Sequence, residues 1–490
     1  MKGTRFLTLL VLGFPPLVAV GADEVTYTRD VAPILEAHCV ECHRERGGAP
    51  FALRTYRDAS RRARTMVRVL ESGFMPPWHA IGGDIPLEGD RRLEADKVET
   101  LRRWVVAGKP EGDPADLPPR REFTDGWYMG EPDLVLTMDR AYELPADGPD
   151  IYRNFVIPTG LKEEKFVRAI EFRPGTPGVV HHALIYVDAT GESRKADAED
   201  KAPGFAEMPV NGAAGRQIGG WVPGAVPRPL PEGLAHRLPA ESDIVLQTHF
   251  HLSGKPERER STVGLYFSDE PPKRPFTSIQ LPPVFGAFSG IDLPPDDPHI
   301  EIEDSFELPV PVYAFGAHAH AHYRGKSLRL VGRLPGGEEV VLLNVPDWDM
   351  DWQEEYRFAE EVFLPTGTRL LVDVAWDNSA QAPANPVIPP VRVRWGFESL
   401  DEMGSIDLFV IPAGNHKKAT SRMKTLREAY RDHVVWTAGR HVLGPDKLAV
   451  FGELRAKAIA RFDRDEDGFL DFRERREARE RLQTKEADLE

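Results

Sequence analysis

The sequence predicts a multidomain protein: a small all-α domain, two antiparallel β-sandwich domains of jelly-roll-like type, and a C-terminal helical segment. Three observations lead to this prediction. The chain has 490 residues, which is too long for a single hydrophobic core. Its 44 prolines and 42 glycines favour short strands joined by tight turns over long helices. The spacing of apolar residues changes from helical to alternating near residue 124, and returns to helical after residue 415.

The first 22 residues are typical of an export signal. Lys2 and Arg5 precede an apolar run from Phe6 to Val20, and small residues end it. The run is short and is broken by Pro15-Pro16, so we expect no stable membrane span. The mature chain is expected to begin near Asp23 and to work in the periplasm or outside the cell.

The composition limits the classes of partner. The formal net charge of −16 disfavours nucleic acid and anionic lipid as partners. The hydrophobic fraction of 41% and the charged fraction of 29% are typical of a soluble globular protein.

Residues 23–114 form the predicted all-α domain. Apolar residues have helical spacing in TRDVAPILEAHC and in LEADKVETLRRWVVAGKPEGD, where Gly108 and Pro110 end the helix. A proline-rich, charged stretch, DPADLPPRREF, follows as a linker.

The only two cysteines lie in CVECH, which is the attachment signature of c-type haem. Cys39 and Cys42 would bond the haem, and His43 would be its proximal iron ligand. A redox CxxC is expected within a βαβ pattern, and a zinc site would need a second CxxC; neither is present. The region resembles a class I cytochrome c domain of the kind fused to exported bacterial enzymes.

A distal haem ligand is expected later in the same domain. Met75 in GFMPPWHA is the best candidate, because a Met/His pair raises the iron potential and suits electron transfer. Met66 lies in an apolar helical run and is expected in the core, and His79 is a weaker alternative ligand.

The middle of the chain alternates apolar and polar residues in short runs such as KFVRAIEF, SLRLVGRL and VRVRWGF, separated by turn residues. Nearly 290 residues exceed one sandwich, so we predict two domains, at 124–275 and 276–415. The proline-rich EPPKRP marks the boundary between them. Charged helical sequence follows.

Six histidines and a methionine in this region predict two metal sites. They are His181 and His182 in VVHHALIYV, His249 in VLQTHFHLSG, His318, His320 and His322 in FGAHAHAHYRGK, and Met403 in LDEMGSIDLFV. A three-histidine set and a two-histidine, one-methionine set can be drawn from them. A thioether favours Cu(I), and imidazole suits copper in either oxidation state.

Strand geometry limits how these histidines can share an ion. Alternating His318, His320 and His322 would lie on one face of a strand, and two of them could bind one metal. His249 and His251 would also share a face. Adjacent His181 and His182 would point to opposite faces unless the strand ends or bulges there.

The ordered set resembles the copper type II, ascorbate-dependent monooxygenases, the family of peptidylglycine α-hydroxylating monooxygenase and dopamine β-monooxygenase. The motifs HHALIYV, LQTHFH, HAHYRGK and DEMGSIDLFV occur in the family's order and at similar spacing. The resemblance implies an electron-transfer copper on His181, His182 and His249. It implies an oxygen-binding copper on His320, His322 and Met403, and makes His318 an extra histidine and His251 an unlikely direct ligand.

The resemblance also implies the reaction, which is hydroxylation of a C–H bond with O2 and electrons from ascorbate. The chain departs from the family in two ways, and the second limits the substrate. The region has none of the disulfides of the animal members. His318 stands where the peptide-hydroxylating branch has an arginine, and Ser405 and Asp407 do not match its carboxylate clamp. A C-terminal glycine peptide is therefore not expected, and the substrate is an unknown small molecule or peptide.

Near the C-terminus, within the predicted helical segment 445–490, a twelve-residue loop fits the EF-hand calcium pattern at every position. The ligands would be Asp463, Asp465, Asp467, Phe469 through its carbonyl, Asp471 through water, and Glu474. A single hand favours a structural or docking role over signalling.

The sequence thus predicts an exported copper- and haem-containing monooxygenase that also binds calcium. Its electron donor would be an ascorbate-like reductant or a redox protein, with the fused haem as a relay. The alternatives are a non-catalytic copper-binding or electron-transfer protein on the same fold, and, less favoured, a zinc hydrolase on the three-histidine set.

Overall fold

The computed structural model describes residues 24–45, 47, 49–123, 126–176, 178–206, 216–438 and 461. They fall into two compact units. The first contains the described residues up to His43 together with Ala52–Pro76 and Leu93–Arg121. The second contains Arg44–Phe51, Pro77–Arg92 and the described residues from Glu122 onwards. The predicted export signal and calcium loop lie outside the described residues.

The first unit is helical. It begins with a π-helical turn at Tyr27–Val31 and contains three α-helices, α1 (Ala32–His38), α2 (Tyr56–Glu71) and α3 (Ala95–Val106). A 3-10 turn follows at Pro114–Asp116. The core contains an aromatic cluster, in which the Trp104 ring lies 6.1 Å from Tyr27 and 6.4 Å from Tyr56. Met66 is buried on α2, as expected for a core residue.

The second unit begins with a sandwich of ten strands. Strands β1 to β10 span Leu134–Thr137, Tyr142–Leu144, Ile151–Pro158, Lys165–Arg173, Val180–Asp188, Arg216–Trp221, His236–Leu238, Asp243–Phe250, Glu257–Glu259 and Thr262–Phe267. Two four-stranded antiparallel sheets have the orders β1-β10-β4-β7 and β3-β8-β5-β6, and β2 pairs with β9. Val167 and Leu265 of one sheet share a core with Ile185 and Leu246 of the other. Helix α4 spans Glu192–Glu199.

Ten further strands build a second sandwich in the same unit. Strands β11 to β20 span Thr277–Leu281, Asp292–Leu293, Ile300–Glu307, Val312–Ala321, Gly325–Arg333, Glu339–Val345, Glu355–Leu364, Arg369–Trp376, Val393–Arg394 and Gly404–Pro412. The sheets have the orders β11-β20-β14-β17 and β13-β18-β15-β16, and β12 pairs with β19. Helix α5 (His416–Ala438) adds Leu426 and Ala429 to their shared core.

The prediction of a β-rich multidomain chain with antiparallel sheets and a helix after them is confirmed. The described chain passes from the first sandwich to the second between Phe267 and Thr277. None of the helices in the described part of the chain combines the length and the apolarity that crossing a bilayer requires.

Residues 77–92 form an extended segment of the second unit, which we call the strap. It hydrogen-bonds to two edge strands of the second sandwich. On β16, Asn344 O accepts the Ile81 N–H at 2.9 Å, and on β17, the Ala359 N–H donates to Pro86 O at 2.8 Å. Trp78 packs edge-on against Tyr356, with ring centroids 5.3 Å apart. The strap thereby satisfies backbone groups that sheet edges otherwise expose to water.

Candidate metal centres

The first candidate centre lies where β5 and β8 pair. His182 is opposite His249, and Val180 is opposite Phe250, so the register shifts by one residue at His181. Two adjacent histidines can bind one ion only if the strand bulges or ends there, and this shift is such a bulge. The extra residue, His181, no longer has to point away from His182. The structure thus brings His181, His182 and His249 together, with one ligand atom of each within 4.8 Å of the others. We call this set the bulge centre.

The nitrogens that converge in the bulge centre are all Nδ1. The Nδ1 of His182 lies 3.2 Å from that of His181 and 3.4 Å from that of His249. Two nitrogens bound about 2.0 Å from one ion at a tetrahedral angle would lie about 3.3 Å apart. The three imidazoles therefore fit a shared metal ion, and the donor set suits copper as well as zinc.

Carboxylates hold the outer nitrogens of two of these rings. The Nε2 of His249 lies 2.8 Å from Asp150 Oδ2, and the Nε2 of His181 lies 3.3 Å from Asp351 Oδ1. A neutral imidazole that donates from Nε2 keeps its lone pair on Nδ1, so these partners aim the lone pairs inward. Tyr152 stacks on the His249 ring at 4.2 Å and 11°.

The electrostatics keep the bulge centre in its ligating form. Burial lowers the pKa of His182 well below its usual range. Burial also lowers the pKa of His249 to about 4, although the hydrogen bond to Asp150 opposes this change. Burial disfavours the charged form of Asp150, but hydrogen bonds with His249 and Ser399 outweigh it and hold the pKa at about 2. At neutral pH both buried imidazoles are neutral and Asp150 is charged.

The second candidate centre follows regular strand alternation. His318 and His320 share a face of β14, and His322 comes directly after that strand. The rings of His320 and His322 lie 5.3 Å apart at 86°. Ala321 is opposite Gly404, the first residue of β20, and buried Met403 immediately precedes that strand. We call His320, His322 and Met403 the alternating centre.

In the alternating centre the hydrogen-bond partners lie at Nδ1 and not at Nε2, the reverse of the bulge centre. The Nδ1 of His320 lies 2.5 Å from Gln353 Oε1, and the Nδ1 of His322 lies 3.2 Å from the Asp401 carbonyl oxygen. Both partners accept hydrogen bonds, so each lone pair is left on Nε2. Burial lowers the pKa of His320 to about 4 and that of His322 to about 3, which keeps both rings neutral.

Glu402 fixes the backbone around the alternating centre. The carboxyl group is fully buried, and burial raises the pKa of Glu402 to about 8. It accepts the backbone N–H of His322 at 3.1 Å, of Arg324 at 2.6 Å and of Met403 at 3.3 Å. It also accepts the indole N–H of Trp376 at 3.1 Å. One side chain therefore ties both ligand-bearing strand ends together.

A strained turn places an aromatic ring beside the alternating centre. Phe285 and its neighbour Val284 have φ angles of 51° and 53°, which are uncommon for residues with a side chain and most costly for a β-branched one. The turn is held by Gln280 Oε1, which accepts the Phe285 N–H at 3.0 Å. The Phe285 ring lies 5.0 Å from that of His320.

Two polar residues share the face of the sheet with His320. Ser405 is opposite His320, is fully buried, and its hydroxyl has no hydrogen-bond partner among the described residues. His318 is opposite Asp407 on one side and Glu355 on the other. Burial lowers the pKa of His318 to about 3. The geometry does not add His318 to a ligand set.

The haem motif lies directly after α1 in the helical unit. Cys39, Cys42 and His43 occupy one turn, in which Cys39 O accepts the His43 N–H at 2.9 Å. Neither Cys39 nor Cys42 forms a disulfide, and burial raises the pKa of Cys39 to about 12. Met75 follows α2 in the same unit. The weaker alternative, His79, belongs to the strap, and its Nδ1 lies 3.0 Å from the Asp347 carbonyl oxygen of the second sandwich.

Sequence reasoning missed most of the residues that support the two centres. Asp150, Asp351, Gln353 and Ser399 belong to no recognisable motif, and they lie up to 170 residues from the histidines that they contact. Glu402 stands inside the DEM motif, but the motif alone gives it no role.

Comparison with protein-family models gave no match, and neither did comparison with curated proteins. Among solved structures the chain is similar to the major capsid protein P2 from bacteriophage PM2, at 11% identity and a TM-score of 0.22, over 54% of this chain and 98% of that one. It is also similar to the infectious bursal disease virus VP2 subviral particle, at 13% identity and a TM-score of 0.18, over 61% of this chain and 76% of that one. Scores this low carry no argument about fold or function.

Proposed function

We propose that the protein is an exported copper- and haem-containing monooxygenase that hydroxylates a C–H bond of a small molecule or peptide with O2. The proposal rests on two histidine centres in one chain, one of which presents Nδ1 atoms to a metal and the other Nε2 atoms. In the bulge centre three Nδ1 atoms converge, 3.2 and 3.4 Å apart. In the alternating centre both Nδ1 atoms are occupied by acceptors, which leaves Nε2 for a metal.

The two sets of residues would divide the work. His181, His182 and His249 would hold an electron-transfer copper, and His320, His322 and Met403 would hold the copper at which O2 reacts. Bound copper would supply the one-electron chemistry that O2 requires. A thioether with two imidazoles favours the reduced ion, and three ligands leave a position open.

Residues around the alternating centre would protect and orient the reaction. Phe285 covers one side of His320 with an apolar ring, which limits access of water. Glu402 holds the backbone on both sides of the site. The buried hydroxyl of Ser405 offers a hydrogen bond beside His320.

Haem on Cys39, Cys42 and His43, with Met75 as distal ligand, would make the helical unit an electron relay, and calcium on 463–474 would have a structural role. The relay proposal rests on the fusion of the CVECH motif to the copper motifs in one chain. Rapid mixing of reduced haem protein with Cu(II) tests it, and haem that stays reduced would overturn the relay.

Metal stoichiometry with electron paramagnetic resonance tests the proposed function. The full chain, matured with haem outside the cytoplasm, should bind two coppers with type 2 signals. His181→Ala and Met403→Ala should each perturb a different signal. Substrate-dependent O2 uptake then separates a monooxygenase from a non-catalytic copper protein. One copper, or zinc in its place, would overturn the two-copper proposal.

A further inference from the structure

The two centres meet at the loop that precedes Met403. Ser399 in this loop is 4% exposed, and its Oγ reaches three groups of the first sandwich. It lies 2.9 Å from Asp150 Oδ2, 3.0 Å from the Tyr152 hydroxyl and 3.3 Å from His249 Nε2. A residue of the second sandwich thus closes the outer side of the bulge centre.

The hydrogen bonds at Ser399 are mutually compatible. Asp150 Oδ2 accepts both the Ser399 hydroxyl and the His249 Nε2–H. The Ser399 oxygen is then free to accept the Tyr152 hydroxyl. Because Tyr152 also stacks on His249, the orientation of that imidazole depends on the position of Ser399.

The same loop reaches the alternating centre two residues later. The Asp401 carbonyl oxygen lies 3.2 Å from His322 Nδ1, and Glu402 accepts the N–H groups of His322 and Met403. A displacement of Ser399 would therefore move groups that orient ligands in both centres.

We propose that Ser399 is a positioning residue that couples the two centres, so that metal in one changes the metal affinity of the other. The inference rests on the proposed pair of metal sites. Coupling between binding sites is reciprocal, so it can be measured from either side. Partners of this kind change metal affinity by about 10- to 100-fold when removed.

The test uses a thermodynamic cycle on the full chain, with Cu(II) as the probe and a chromophoric chelator as competitor. The Cu(II) affinity of the bulge centre is measured first in the unmodified chain and then in His320→Ala, which disables the alternating centre. His320 is suitable because its ring contacts Gln353 and not the loop that carries Ser399. The ratio of the two affinities is the coupling factor, expected to be about fivefold or more. The same ratio in Ser399→Ala should fall to about one.

Three variants separate coupling from general damage to the fold. Ser399→Thr keeps the hydroxyl and should restore the coupling. Tyr152→Phe keeps the stacked ring but removes the bond to Ser399, and should reduce the coupling. Ser253→Ala is the control, because among the described residues its hydroxyl bonds Lys255 O and Glu257 Oε1, which are close to it along the chain, and the coupling should not change.

The outcomes distinguish this inference from the proposed function. Two coppers with a coupling factor of one in the unmodified chain, or an equal factor in Ser399→Ala, would overturn the role of Ser399 and leave the two-copper proposal standing. A chain that binds one copper or none would overturn both. A factor that is lost in Ser399→Ala and restored in Ser399→Thr would establish the coupling.

Discussion

Both the bulge centre and the alternating centre are built from histidines, but they leave different ring nitrogens free and hold the other nitrogen with different partners. In the bulge centre charged carboxylates, Asp150 and Asp351, hold the outer nitrogens of the imidazoles. In the alternating centre the partners are neutral, a glutamine side chain and a backbone carbonyl. Negative charge behind an imidazole strengthens it as a donor and favours Cu(II), whereas neutral partners and a thioether favour Cu(I). With copper in both centres, as proposed above, the difference predicts electron flow from the bulge centre to the alternating centre.

The largest expected effect is a loss of folding stability, which should be large for a supporting residue of the alternating centre and small for one of the bulge centre. Glu402→Ala would remove the acceptor of three backbone N–H groups inside the second sandwich, and one of the two acceptors of the Trp376 indole, which also bonds Met403 O. We expect the free energy of unfolding to fall by about 3 kcal/mol or more in chemical denaturation. Asp351→Ala is the control, because its side chain is 63% exposed, and it should cost less than about 0.5 kcal/mol. Equal losses would contradict the structural role of Glu402.

The next effect tests whether charge behind the bulge centre favours Cu(II). Asp150→Asn keeps the shape of the side chain but removes its charge, and should lower Cu(II) affinity about 10- to 100-fold. Cu(I) affinity should fall much less, as measured with competing chelators for each ion. His251→Ala removes only the exposed partner of Asp150 and should change either affinity less than about threefold. An equal loss for both ions would break the proposed difference between the centres.

A smaller effect is expected from the thioether. Met403→Leu conserves volume and removes the sulfur, so Cu(I) should bind the alternating centre about tenfold more weakly while Cu(II) changes little. The reduction potential of that centre should then fall by about 59 mV, measured by potentiometric titration. Met423→Leu is the control, because Met423 is equally buried in α5. A potential that does not move would remove Met403 from the ligand set.

The smallest effect concerns the extra histidine. His318→Gln should leave the copper stoichiometry unchanged and alter the affinity of the alternating centre by less than about threefold, because His318 lies one alternation away from His320. Metal analysis after dialysis, with affinity measured by chelator competition, checks this. Loss of one copper would show that His318 replaces another residue as a ligand.

The same comparison shows how far the sequence leads. Alternation in HAHAH predicts one face of a strand, and β14 has that pattern because its other face, Ala317, Ala319 and Ala321, is buried in the core. The adjacent His181 and His182 required a bulge or a strand end, and the structure has the bulge. Each of these inferences depends on neighbours along one strand.

The supporting residues could not be predicted in this way. Asp150 reaches His249 across 99 residues, and Ser399 reaches it across 150. The first contact depends on the pairing of β3 with β8, and the second on the packing of one sandwich against the other. No local period in the sequence encodes either. The strap was also unexpected, since GFMPPWHA and the residues after it were assigned to the helical domain.

The strap has a consequence for the order in which the chain can fold. Ile81 bonds Asn344 across 263 residues, so its partner strand is synthesised long after it. At about 5 to 20 residues per second, the delay is on the order of tens of seconds. During this time the Ile81 N–H and the Pro86 carbonyl oxygen lack their partners on β16 and β17. The early part of the chain therefore cannot reach its final form until a late part of the same chain has been made.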